Sequence, residues 1–155
     1  MQLQTRLALA FGAIASVTAV HNVTFTNNCD TELTPTWSSG SDLRKGVLLA
    51  VGATAQYVIP ETYFGATFYA QDGSCTEPGG AGCTSFHCTL PATNPNNECY
   101  LKVADGFNVP LRFQLNNGCV ARRTCWDETC KEVDRIACRA HQFGIELTFC
   151  PPDRT

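Results

Sequence analysis

Apolar and polar residues alternate with a period of two in several short stretches of this chain. Val23 and Phe25 alternate with Thr24 and Thr26, Tyr57 and Ile59 follow Gln56 in the same rhythm, and Ala66, Phe68 and Ala70 are interleaved with Thr67, Tyr69 and Gln71. Further on, Val109, Leu111, Phe113 and Leu115 alternate with Pro110, Arg112 and Gln114, and near the end Ile145, Leu147 and Phe149 alternate with Glu146 and Thr148. Successive side chains on an extended strand point to opposite faces, so each stretch reads as a half-buried strand. Between them lie Asp72-Gly73, Asp105-Gly106, Asn117-Gly118 and the Pro78-Gly79-Gly80 run, residues that turn the chain sharply. Short strands bounded by such turns predict an all-β fold, an antiparallel β-sandwich. No comparable period of 3.6 residues occurs, and 127–139 is the one span with room for a short helix. Residues 90–97, with two prolines and three asparagines, read as a surface loop closed by its flanking cysteines.

The N-terminal residues break this pattern. Arg6 is their one charged residue, residues 7–14 form an apolar run, and Val17 and Ala19 supply the small side chains a signal peptidase requires. That order is the pattern of a secretory signal, and the apolar run is too short for a membrane anchor. Cleavage after Ala19 is expected, with residues 1–19 as the signal peptide and 20–155 as a single small domain. Dividing that domain would leave two pieces with too little core. The formal charge of −3 and the lack of a Lys/Arg stripe exclude nucleic acid and an anionic membrane surface as partners; Arg122-Arg123 is an isolated pair.

Ten cysteines follow the signal, an even number in a chain headed for an oxidising compartment, so all of them are expected in disulfides. A metal site is not expected. There is no Cys-x-x-Cys pair, and Cys83 and Cys88 with His87 between them are a poor zinc pattern. Asn22-Val23-Thr24 is an N-glycosylation sequon at the entry to the first strand.

Several segments in order resemble the thaumatin-like proteins. Val23-Thr24-Phe25-Thr26-Asn27-Asn28-Cys29 resembles that family's first strand and first cysteine. Gly65-Ala66-Thr67-Phe68-Tyr69-Ala70 before Cys75 resembles its Gly-x-x-Trp-Ala-Arg strand. The Cys83 to Cys88 spacing is that of its Cys-x-Thr-Gly-Asp-Cys signature, and Gly106-Phe107-Asn108-Val109-Pro110-Leu111 nearly reproduces its Gly-Phe-Asn-Val-Pro-Met. Gly118-Cys119 through Cys125 resembles its Gly-Cys-x-x-x-x-Cys with one residue more, and Ile145-Glu146-Leu147-Thr148-Phe149-Cys150-Pro151 resembles its closing Tyr-x-Val-Thr-Phe-Cys-Pro. The resemblance is to the short branch of the family, of osmotin and pathogenesis-related type, which lacks the large cysteine-rich lobe. It implies a sandwich of two sheets and the pairing Cys29–Cys150, Cys75–Cys83, Cys88–Cys99, Cys119–Cys138 and Cys125–Cys130.

The departures bear on function. Full-length members line a cleft with an arginine, a glutamate and three aspartates, held responsible for β-1,3-glucan binding and, in some, weak hydrolysis. The three aspartate positions fall here on His87, Tyr100 and Arg112, and the stretch that would carry the other two residues is shortened. Hydrolysis of a glycosidic bond needs two carboxyls, one of them protonated. The candidates are Glu98, Asp105 and Asp72, but Asp72 and Asp105 each precede a glycine in a turn, where aspartate is favoured for its own backbone hydrogen bonds. Trp126, Tyr100, Glu98, Asp105 and Asp72 are therefore candidate ligand-binding residues, and no catalytic residue, metal or cofactor is assigned. Among the aromatics Trp37, Tyr63, Phe64 and Trp126, most are expected in the core, with Trp126 between Cys125 and Cys130 partly exposed. No Gly-x-Ser-x-Gly elbow supports a serine nucleophile.

Three functions are thus expected in descending order. The first is a secreted, extracellular, monomeric protein that binds β-1,3-glucan or another cell-wall polysaccharide without catalysis, in a defence or antifungal-type role. The second is a secreted module that binds a protein, as a hydrolase inhibitor or effector. The third is a weak β-1,3-glucanase.

Overall fold

A computed structural model describes residues 20–91, 93, 98–130, 135–138 and 140–152; the expected signal peptide lies outside the described residues. The strands in chain order are β1 (Val20–Asn27), β2 (Thr34–Ser39), β3 (Asp42–Lys45), β4 (Thr54–Pro60) and β5 (Ala66–Gln71). They continue as β6 (Ser85–Cys88), β7 (Glu98–Lys102), β8 (Leu111–Asn116), β9 (Ala121–Cys125), β10 (Ile136–Ala137) and β11 (Gly144–Phe149). One sheet has the order β4-β1-β11-β8-β9 and the other β10-β7-β6-β5-β2-β3. Together they form the expected all-β sandwich.

The alternating stretches became strands, most with one face buried; β5 departs from the half-buried expectation, because Thr67 and Tyr69 on its other face are buried as well. Phe25 of β1, Phe149 of β11 and Phe113 of β8 project inward from the first sheet, and Trp37 of β2, Phe68 of β5 and Phe86 of β6 from the second. Phe25 alone lies within 5.8–6.3 Å, centroid to centroid, of Trp37, Tyr57, Phe68 and Phe149. Each such buried side chain contributes about 1.5–3 kcal/mol. The shorter strands β3, β6, β9 and β10 have too few residues to display an alternation. Their pairing is decided by neighbours, as where His87 of β6 lies opposite Tyr100 of β7.

One pair departs from the antiparallel rule: β1 and β11, the two ends of the fold, run parallel, with Asn27 opposite Phe149. Parallel strands finish at the same edge, which brings the residues just after each of them together, and Cys29 is bonded to Cys150 there. The other disulfides are Cys75–Cys83, Cys88–Cys99, Cys119–Cys138 and Cys125–Cys130.

Two expectations are corrected. Leu90 is fully buried rather than part of a surface loop. It packs into the core because its backbone N–H donates to the Tyr63 carbonyl and its carbonyl faces the buried His21 ring. In the span read as a possible helix, the described residues form a turn before Cys130 and then strand β10, which pairs with β7; the rest of that span lies outside the described residues. His21 is itself a core element. Its Nδ1 lies 3.0 Å from the Phe143 carbonyl oxygen and its Nε2 3.2 Å from that of Leu90, so one buried ring ties β1 to two loops. Among the described residues no helix is long and apolar enough to cross a membrane.

Candidate functional site

The outer face of the six-stranded sheet gathers two of the five candidate residues. Glu98 and Tyr100 are two apart on β7 and so share that face. His87, directly across on β6, lies parallel to the Tyr100 ring at 5.3 Å and 11°. The Arg135 guanidinium sits 4.6 Å from the centre of the same ring, and its Nη1 donates to Glu98 Oε2 at 3.0 Å. The His87 ring is oriented in turn by Thr67 Oγ1 at 3.2 Å from Nδ1 and Ser85 Oγ at 2.9 Å from Nε2. Where the resemblance implies carboxylates, this protein carries a stacked histidine and tyrosine, and its neighbouring glutamate is bound to an arginine.

The other three candidates are not brought into that cluster. Asp72 closes its own turn, accepting from the Ser74 backbone N–H at 2.9 Å and from the Ser74 hydroxyl. Asp105 is ion-paired with Lys102. Trp126 is half-buried beneath the guanidinium of Arg112, 5.8 Å from the ring centre. Burial pushes the Asp72 carboxyl up, but the hydrogen bonds it accepts from Ser74, Asn108 and its own backbone together outweigh that and leave the net shift downward. Asp42 is lowered chiefly by the Tyr63 hydroxyl, and Glu77 chiefly by Lys45. A general acid needs the opposite shift. The grouping of Asp72 with Cys75 and Cys83 does not suit a metal, because those two sulfurs are bonded to each other.

A second region was not singled out by residue patterns. Strand β4 is an edge of the five-stranded sheet, and β3 an edge of the other. Edge strands expose unpaired backbone groups and are usually guarded by charge. Strand β3 carries Asp42, Arg44 and Lys45, and the edge strand β9 carries Arg122 and Arg123. Strand β4 carries none. Five of the six large apolar side chains most exposed among the described residues lie along it or in its flanking loops: Val47, Leu48, Val51, Val58 and Phe64. Val58, Pro60 and Tyr63 line a depression of about 300 Å³ with Trp37 and Arg44, and Phe64 lines another of about 240 Å³ with Pro91. A signal for this region does exist in the chain. From Gly46 to Pro60 there is no charged residue.

Comparison with known proteins places the fold. A solved structure of a thaumatin-like xylanase inhibitor superposes with a TM-score of 0.53 at 16% identity, covering 83% of this chain and 99% of the inhibitor. The likeness is one of fold: an all-β sandwich of thaumatin-like type, stapled here by five disulfides. Such a set of disulfides is consistent with an extracellular protein. No protein-family model matches the chain, and no curated protein matches it by sequence.

Proposed function

We propose that this chain is a secreted, non-catalytic binding protein that docks on another secreted protein, a polysaccharide-degrading hydrolase, through the edge of β4. The observation that carries this reading is the unguarded edge: an uncharged strand with Val58 exposed on it, Val47, Leu48 and Val51 at one end and Phe64 at the other. Concentrated exposed apolar surface marks a protein interface, and an open strand edge offers backbone hydrogen bonds to a partner. The xylanase inhibitor of the same fold supports the class of partner. The secretory pattern of residues 1–19 and the disulfide set support an extracellular site of action, in which a defence role against a foreign hydrolase is the natural context.

Binding of cell-wall polysaccharide is the second reading. It is favoured by the outer face of the five-stranded sheet, where Gln56, Thr24, Glu146, Gln114 and Arg122 form one continuous row of polar side chains across all five strands. Sugar rings are gripped chiefly by aromatic faces. On the other sheet the Tyr100 ring is already engaged by His87 and Arg135, and the Trp126 ring by Arg112.

The test is a titration of the chain against purified secreted xylanases and β-1,3-glucanases, following residual hydrolysis and binding. Inhibition or binding that Val58→Lys and Phe64→Asp weaken is expected. Retention on insoluble β-1,3-glucan with no hydrolase bound would replace this reading with the second, and release of sugar by the chain alone would make it an enzyme.

A further inference from the structure

The sequon Asn22-Val23-Thr24 lies on β1, the strand next to that docking edge, with Asn22 opposite Val58. The extended backbone there sends Asn22 and Thr24 to the same outward face and buries Val23 between them. Asn22 is exposed, and its carboxamide makes no hydrogen bond within the described protein. Beside it is an open depression of about 140 Å³, lined by Asn22, Thr24, Gln56, Asn117, Glu146 and Gly144. On one wall Gly144 makes room for the Asn116 side chain, since a Cβ at 144 would collide with Asn116 Oδ1. Asn116 is in turn held by its amide hydrogen bond to Glu146 Oε1, at 2.8 Å. The walls present hydroxyl and amide groups of Thr24, Gln56 and Asn117 that no internal hydrogen bond uses.

We propose that Asn22 is N-glycosylated and that the first sugar of its glycan seats in this depression. The open, polar hollow suits one face of an N-acetylglucosamine ring, whose hydroxyl and acetamido groups match the amides around it. In the transfer, Asn22 Nδ2 forms a bond to C1 of the sugar at the reducing end of a lipid-pyrophosphate-linked oligosaccharide. The C1–O bond to pyrophosphate breaks, the lipid pyrophosphate leaves with the electron pair, and the amide proton passes to a base of the transferring enzyme. Transfer precedes folding, because β1 is later paired on both sides, with β4 and β11. The folded protein accommodates the product because the glycan leaves from the solvent face. Val58, directly beside Asn22 on β4, does not line the depression. A seated sugar therefore lies across β1 between Gln56 of β4 and Glu146 of β11, beside Val58 without covering it in the depression.

The full chain, secreted from a eukaryotic host, is treated with peptide N-glycosidase F in heavy-oxygen water and its peptides are mapped. Asn22 is expected as labelled aspartate in the wild type and unlabelled in Thr24→Val. Recovery of unmodified Asn22 from the secreted wild type would overturn the modification. Seating is tested by the rate of glycan removal from native protein, which Gln56→Ala with Asn117→Ala should raise roughly thirtyfold, about fivefold for each lost hydrogen bond. The rates on denatured protein should be equal. Equal native rates for wild type and variant would overturn the seating. Hydrolase binding is measured separately, with Val58→Lys and Phe64→Asp, so that failure of the docking reading and failure of the glycan reading are told apart.

Discussion

The two flanks of the sandwich are built on different principles. On one flank β7 and β9 meet, and the Cys88–Cys99, Cys119–Cys138 and Cys125–Cys130 bridges lie on or beside them. On the other, β3 and β4 lie within a stretch that has no cysteine from Cys29 to Cys75. Its strands are joined instead by polar contacts. The Tyr63 hydroxyl and Arg44 both bond Asp42, Lys45 pairs with Glu77 at 2.7 Å, and the Val47 N–H donates to the Tyr57 hydroxyl at 2.8 Å. Gly46 permits that last contact, since a Cβ there would lie 2.4 Å from the Tyr57 oxygen. The stapled flank guards its edge β9 with arginines, whereas the unstapled flank leaves β4 uncharged and surrounded by apolar side chains. Disulfides hold one side as structure. The side without them, where β4 itself carries no charge, is the one suited to meet a partner.

The largest expected effect tests where covalent stability resides. Cys29→Ser with Cys150→Ser opens the loop of sequence separation 121 and should cost about 5 kcal/mol in the chain-entropy model. Cys125→Ser with Cys130→Ser, separation 5, should cost about 2 kcal/mol. Urea unfolding of the two pairs measures both, and equal losses would show that joining the chain ends has no special weight.

Next is the core that both flanks share. His21→Ala removes the buried ring that lies between the carbonyl oxygens of Leu90 and Phe143 and donates its N–H to one of them, and should cost about 3 kcal/mol in urea unfolding. A loss below about 1 kcal/mol would mean that water replaces the ring.

The interface prediction sharpens the contrast directly. Phe64→Asp or Leu48→Asp should weaken hydrolase binding by about 2 kcal/mol, roughly thirtyfold in Kd, as interface anchors do. Both residues are exposed, so the urea midpoint should barely move. Arg122→Ala and Arg123→Ala on the opposite flank should leave Kd unchanged in the same calorimetric titration. Equal loss from both flanks would remove the distinction.

The smallest effect concerns acid. Asp42 and Glu77 are held below the ordinary carboxylate range, by the Tyr63 hydroxyl first in one case and by Lys45 first in the other. A carboxylate depressed in the folded state stabilises it above its unfolded value of about 4, and that contribution is lost as pH falls through the folded value. The unstapled flank should therefore loosen below about pH 4. Asp42→Asn with Glu77→Gln should lower the urea midpoint slightly at pH 6 and make its fall toward pH 3 shallower. An unchanged acid slope would show that these pairs do not hold the flank.

The residue pattern alone determined the all-β class, because a period of two is the repeat of an extended strand, and β1, β4, β5, β8 and β11 fall where Val23, Ile59, Phe68, Phe113 and Leu147 alternate with polar neighbours; that β5 is buried on both faces was decided by what packs on it. It also marked turns such as Asp72-Gly73, since aspartate and glycine act within a few residues of themselves. What lies across the fold was decided only by tertiary structure. The parallel pairing of the chain ends, the burial of His21 and Leu90, and the stacking of His87 on Tyr100 each join residues distant in sequence, with no local pattern to announce them. The same holds for function. Glu98 reads as an available carboxylate until Arg135 is seen beside it. The uncharged run from Gly46 to Pro60 becomes an exposed apolar edge only because β4 takes the last place in its sheet: exposure is a property of what packs against a strand and not of the strand itself.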